Sequence, residues 1–139
     1  MELNYFAILA ASVVQFIIGA IWYTPVFGKM WGKIHGFDKV SKEEQKKMMK
    51  QMGPLLLAQF LVTIVTTVML AMFINVLPSG WSVYCLAGFL WLGFVLPTQI
   101  SAVLFGGTEP KWVTAKIAIM AGGALLCLEA AAAVLQYMA

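Results

Sequence analysis

Four apolar stretches, 4–24, 54–77, 82–105 and 113–138, take up most of the 139 residues of this chain. In a helix about 20 residues cross the hydrocarbon layer of a bilayer, so each stretch is long enough to span. The connections between them leave no room for a separate soluble domain. Inside hydrocarbon every backbone N–H and C=O must find its partner within the protein, and helices do this segment by segment. Composition points the same way. The chain is 62% hydrophobic and 11% charged, whereas ordinary soluble domains carry roughly 25% charged residues. A soluble chain this short has too much surface to hide so much apolar area. The expected fold is an all-α membrane protein, a single transmembrane domain over 1–139. It has four antiparallel transmembrane helices and a short cytoplasmic amphipathic helix between the first two.

The lysines orient it. Lys29, Lys33, Lys39, Lys42, Lys46, Lys47 and Lys50 lie in the loop 25–53, Lys111 and Lys116 lie near the third connection, and 78–81 has none. By the positive-inside rule the lysine-rich loop is cytoplasmic and both termini face outward, in the cell membrane. The same lysines offer an attraction to anionic lipid headgroups. The net charge of +3 is therefore read as a topology signal and not as a nucleic-acid footprint. With no arginine in the chain, bidentate guanidinium recognition of phosphate or carboxylate is excluded. Residues 1–6 lack the basic region of a secretory signal, so the first stretch is expected to be a retained helix.

Local signals refine the connections. Ser41 followed by Glu44 makes a capping box, and Glu43 with Lys47 makes an i,i+4 pair in the favoured order. With Val40, Met48, Met49 and Met52 they predict the interfacial helix, ended by Gly53, with Pro54 in the first turn of the second span. Leu77-Pro78-Ser79-Gly80 fits a type I turn, which makes spans two and three antiparallel neighbours. Trp81 and Tyr84 follow where an interfacial aromatic belt is expected. Pro25 is expected to end the first helix, because the residue before proline disfavours α geometry. Gly28 and Gly32 then let the chain turn along the surface. Pro97 removes one hydrogen bond from the third span and crowds the Gly93 carbonyl. Thr98, Gln99 and Ser101 beside it either satisfy the disturbed backbone or form a polar site.

Small and polar residues in membrane helices face other helices, where close packing and interhelical hydrogen bonds drive association. Ala7, Ala11, Gln15, Gly19 and Tyr23 make one such stripe. Gln59, Thr63, Thr66 and Thr67 make a second. Ala115, Ala118, Gly122, Glu129, Ala132, Ala133 and Gln136 make a third. Glu129 is the acidic residue that lies well inside a span. At about 1.5 Å per residue it sits level with Trp91, Thr67 and Ser12 or Gln15. The Gln15 amide, Thr67 hydroxyl and Trp91 indole are its expected partners. An ionised carboxylate with no counter-charge at that depth is costly. The expectation is a protonated, hydrogen-bonded Glu129, or one that lines a wet cavity and titrates. A second polar level, Trp22, Tyr23, Gln59, Thr63, Thr98 and Gln99, lies nearer the lysine-rich side. Two such levels suggest a polar path, and the small volume inside four helices points to a homo-oligomer.

Catalytic signals are thin. His35 stands alone in the lysine loop, Cys85 and Cys127 are expected to be small buried hydrophobes, and phosphate-loop and metalloprotease motifs are missing. No catalytic residue, metal site or cofactor is expected. The phrase Gly19-Ala20-Ile21-Trp22-Tyr23-Thr24-Pro25-Val26-Phe27-Gly28-Lys29-Met30-Trp31, with Asn4 before it and Trp91-Leu92-Gly93-Phe94 after it, resembles the membrane family filed as "domain of unknown function 1761". The resemblance covers nearly the whole chain. It implies a small multi-pass membrane protein, with Gly19, Trp22, Tyr23, Pro25, Gly28 and Trp31 as signature positions, and it brings no activity with it. The leading expectation is an oligomeric channel-like or proton-coupled transport protein using Glu129. The alternative is a structural or accessory subunit without transport activity. An intramembrane enzyme or lipid-binding protein comes third.

Overall fold

The computed structural model describes residues 2–139, and among them the chain is helical without a strand. Helix α1 (Tyr5–Ile21) runs into a π turn, Trp22–Val26, and a short α2 (Gly28–Ile34) follows. Helix α3 is Lys42–Asn75. Helix α4 (Val83–Leu90) joins α5 (Leu96–Leu104) through a second π turn, Trp91–Val95. Helix α6, Val113–Tyr137, closes the chain. Four helical runs, Tyr5–Val26, Lys42–Asn75, Val83–Leu104 and Pro110–Tyr137, are long and apolar enough to cross a membrane.

What is inside and what is outside fit a lipid solvent. Small residues make up nearly half of the buried apolar positions, among them Ala7, Ala11, Ala87, Ala121, Ala131 and Ala132. The outer surface carries Phe6, Ile17, Leu55, Leu57, Phe94 and Phe105. In water so continuous an apolar exterior would aggregate. In hydrocarbon the same pattern lets backbones approach closely and leaves the bulky side chains to face acyl chains. The protein is built as a multi-pass membrane protein.

Helices α1 and α6 form the centre. α3 lies mainly against α1, and α4 and α5 lie against α6. The register is set by hydrogen bonds at both ends. Asn4 caps α1 by accepting from the Ala7 N–H at 3.0 Å, and its amide donates to the Met138 carbonyl at 3.0 Å. At the other end Trp22 meets Ile119. On the α3 side the Asn75 amide donates to the Glu2 carbonyl, and Phe16 meets Phe60 edge-on with ring centres 5.6 Å apart.

Several local expectations are corrected. Lys42–Asn75 is one helix, so no separate short helix ends at Gly53. Ser41 caps it as expected, accepting from the Glu44 N–H at 3.2 Å. Pro54 is carried in its interior, where it forfeits one backbone bond without forcing a stop. Pro25 does not end the first helix at Thr24. A π turn continues through it to Val26, with the Phe27 N–H bonded to the Trp22 carbonyl at 2.9 Å. The wider i→i+5 turn accommodates the ring that an α turn would reject. Gly28 and Gly32 then belong to α2, a helical segment the sequence reading took for a surface turn.

The third span is interrupted by its own π turn just before Pro97. The tight turn near residue 78 sits one position later than expected, closed by the Trp81 N–H on the Pro78 carbonyl at 3.2 Å. The shift puts Gly80 at φ 92, which only glycine adopts without strain. Spans two and three touch only slightly despite this short link, because their buried faces, Thr67, Leu70 and Ala71 on one and Val83, Leu86 and Ala87 on the other, turn to α1 and α6 instead.

Candidate functional site

The most deeply buried side chains of any size in the bundle are polar. Thr67 and Ser12 are both 0% exposed and Gln15 is 5% exposed. They are brought together where α1 crosses α3. The Gln15 amide donates to the Thr67 hydroxyl at 2.7 Å and to the Ala11 carbonyl at 3.2 Å. Thr67 donates its own proton to the Thr63 carbonyl at 2.7 Å. The Ser12 hydroxyl is 2.8 Å from the Ile8 carbonyl and 3.2 Å from the Thr67 oxygen. Its single proton goes to the shorter contact, or alternates between the two. Cys127 on α6 reaches the Gln15 carbonyl at 3.6 Å. Three helices are thus tied by one polar knot. A buried polar network is stabilising only when its donors are satisfied, and here both Gln15 amide protons and the Thr67 proton are.

Two tryptophans hold α6 from its flanks. The Trp22 indole donates to the Ile119 carbonyl at 2.8 Å, and the Trp91 indole donates to the Ala121 carbonyl at 2.8 Å. Gly122 and Gly123 make room for Trp22. A Cβ at Gly123 would stand 2.8 Å from the indole nitrogen, and one at Gly122 would stand 3.2 Å from the ring. Both tryptophans open a π turn. The sequence reading placed Trp22 in a polar level; it is a helix-packing residue whose N–H is bonded to α6.

Glu129 lies apart from both devices. Its carboxyl sits beside Gly88, 3.4 Å from where a Cβ on that glycine would be. It is half-buried and has no hydrogen bond within the chain among the described residues. The three expected partners are bonded elsewhere, Gln15 to Thr67 and Ala11, Thr67 to Thr63, and Trp91 to Ala121. The depth arithmetic placed them at the right level but said nothing of azimuth, and the side chains turn away from Glu129.

The level nearer the lysines is likewise not assembled by hydrogen bonds. Thr63 donates back to the Gln59 carbonyl at 2.8 Å and Thr98 back to the Phe94 carbonyl at 2.6 Å. Gln59 and Thr98 are exposed, and the Gln99 side-chain oxygen is buried without a partner. Tyr23 meets Trp31 edge-on with ring centres 4.8 Å apart. Two shallow surface depressions of about 600 and 340 Å³ lie at Phe37, Lys42, Lys46 and Met49 and at Trp81, Cys85 and Phe89. Neither is lined by Glu129 or by the knot.

A family model described as "Protein of unknown function (DUF1761)" matches residues 6–136. The chain belongs to this family. No curated protein and no solved structure matches it. Within the phrase 19–31 three residues have distinct places. Trp22 lies on Gly122 and Gly123, Tyr23 packs on Trp31, and Pro25 stands inside the π turn.

Sequence reasoning missed three participants. Ser12 was named only as an alternative to Gln15, yet it completes the knot. Gly123 was visible as the second of two adjacent glycines in an apolar helix, beside Gly122 of the predicted inward stripe, a pattern that marks close approach of another group. Lys116 was counted for charge alone, yet its ammonium lies 5.9 Å from the centre of the Trp31 ring. The inner face of α6 also differs in part. Ala118 and Gln136 are exposed, while Ile119, Ala121, Gly123, Leu128, Ala131 and Leu135 are buried. One helix packed between α1 and α4 buries a wider arc than a single stripe describes.

Proposed function

We propose that the protein is a structural or accessory membrane subunit with no transport activity of its own, whose interior polar groups join helices. The observation that carries this reading is the Ser12–Gln15–Thr67 knot, which bonds to itself and to backbone carbonyls the groups that a polar path would have to expose. In the proposed arrangement the four spans run antiparallel, supported by the pairing of residue 4 with 138 and 22 with 119. The lysine-rich loop is cytoplasmic and both termini are outside, supported by the distribution of all nine lysines. The first turns of α3, with lysines and methionines on its surface, project from that face. Proton flux into proteoliposomes tests the reading. Flux at the protein-free background supports it, and flux that depends on the protein contradicts it.

A proton-coupled homo-oligomer is the second reading, favoured by Glu129 alone. This half-buried carboxyl lacks a hydrogen bond within its chain, and intramembrane acids commonly mark ion or proton pathways. In this reading flux is present in the wild type and lost in Glu129→Gln.

A further inference from the structure

The aromatic cluster at the lysine-rich end of the bundle has no part in joining helices through the knot. Lys116, in the first turns of α6, holds its ammonium 5.9 Å from the centre of the Trp31 ring. The same ring meets Tyr23 at 4.8 Å and His35 at 4.4 Å. The His35 Nδ1 lies 2.9 Å from the Trp31 carbonyl. A carbonyl only accepts, so Nδ1 carries the proton and His35 serves to fix the Trp31 backbone, its Nε2 being an acceptor in the neutral ring.

The donors gathered here lack acceptors. Among the described residues the one ion pair joins Lys111 to Glu109, so Lys116 has no carboxylate. The indoles of Trp22 and Trp91 are bonded to carbonyls, but the Trp31 N–H and the Tyr23 hydroxyl have no partner among the described residues. A fixed positive charge beside unpartnered N–H and O–H groups suits a ligand with several acceptor oxygens and a negative charge. The level of the cluster says where that ligand comes from. Tyr23 lies in the last turn of the first apolar run, Tyr5–Val26, and Lys116 within the first two turns of the fourth, Pro110–Tyr137, close to the level of lipid phosphates.

Most lysines of the long loop are less well placed. Because α3 is unbroken, Lys42 stands about 18 Å along the helix from Pro54. The ligand's net charge follows from the ring: the indole's attraction for a cation is already taken by Lys116, leaving no aromatic seat there for a choline group.

We propose that Lys116 and Trp31, with Tyr23, hold the phosphodiester of an anionic phospholipid at the lysine-rich boundary. The assignment is independent of the helix-joining role. It is tested in nanodiscs of equal phosphatidylglycerol and phosphatidylcholine, by counting the lipids that stay bound in native mass spectrometry. The wild type retains phosphatidylglycerol in preference. Lys116→Gln lowers that retention about fivefold, Lys116→Arg keeps it, and Lys42→Gln leaves it unchanged. Added inorganic phosphate does not displace the lipid. The proposal is overturned by a wild type without preference, by equal losses in Lys116→Gln and Lys42→Gln, or by displacement with inorganic phosphate. Should Lys116→Gln not fold, Trp31→Phe takes its place. It keeps an aromatic ring but lacks the N–H, and unchanged retention in that variant overturns the proposal.

Discussion

Trp22 and Trp91 donate indole hydrogen bonds of equal length, 2.8 Å, to the carbonyls of Ile119 and Ala121 on one helix. Residues two apart stand about 200° from one another around an α-helix, so the two indoles grip α6 from nearly opposite sides. Each tryptophan opens a π turn, Trp22–Val26 or Trp91–Val95. The wider turn carries Pro25 in one span and precedes Pro97 in the other. The same device therefore occurs once in the first span and once in the third, on either side of the central helix.

The Trp22 grip depends on Gly123. A methyl group there would stand 2.8 Å from the indole, and both Cδ1 and Nε1 are that close. Gly123→Ala is expected to destabilise the bundle by about 1–3 kcal/mol, the usual cost of overpacking, when unfolding is followed in bicelles. Gly19→Ala is the control. Nothing lies within 4 Å of its would-be Cβ, so this change leaves stability unchanged or raises it by up to about 1 kcal/mol through lower backbone entropy.

Removing the indole N–H alone is milder. Trp22→Phe and Trp91→Phe are each expected to cost about 0.5–1.5 kcal/mol from the lost hydrogen bond, plus the packing of the missing ring. Because the two contacts are on opposite sides of α6, their effects on unfolding free energy should add. Strong coupling between them would mean that they share a support that the geometry does not show.

Glu129→Gln removes an ionisable group but no hydrogen bond among the described residues. Its effect on unfolding is expected to stay within about 0.5 kcal/mol. A large loss of stability would place an undetected partner at the carboxyl.

Cys85 reports the sidedness. It is exposed, contrary to the expectation of two buried thiols, and lies in the first turn of α4, close to the Gly80 turn. In right-side-out vesicles a membrane-impermeant methanethiosulfonate reagent should modify Cys85 without permeabilisation. Modification only after permeabilisation would reverse the proposed topology. Cys127, half-buried against the Gln15 carbonyl, should react more slowly.

Much of the fold was legible because membrane helices announce themselves by length and hydropathy. Of the stripe Ala7, Ala11, Gln15, Gly19 and Tyr23, whose members four apart share one helix face, the first three are buried and Gly19 and Tyr23 only half-buried. The interruptions were less legible. Proline patterns name where an α turn is disturbed, but not whether the chain stops, as expected at Pro25, or relaxes into a π turn. Gly53-Pro54 read as a boundary, yet the helix passes through, since one missing bond does not outweigh the turns on either side. The polar residues were found by depth, and depth leaves azimuth open. Gln15 and Thr67 meet each other, whereas Glu129 at a similar height faces Gly88.

The central claim about the fold is that the Gln15–Thr67 contact binds helices together. A double-mutant cycle with Gln15→Leu and Thr67→Val, read as unfolding free energy in bicelles, measures this directly. The expected coupling is about 0.6 kcal/mol and at most about 1.7 kcal/mol, the average and the maximum for interhelical hydrogen bonds in a membrane protein. Strictly additive effects, with both single variants as stable as the wild type, would contradict the reading of the knot as the joint between α1 and α3.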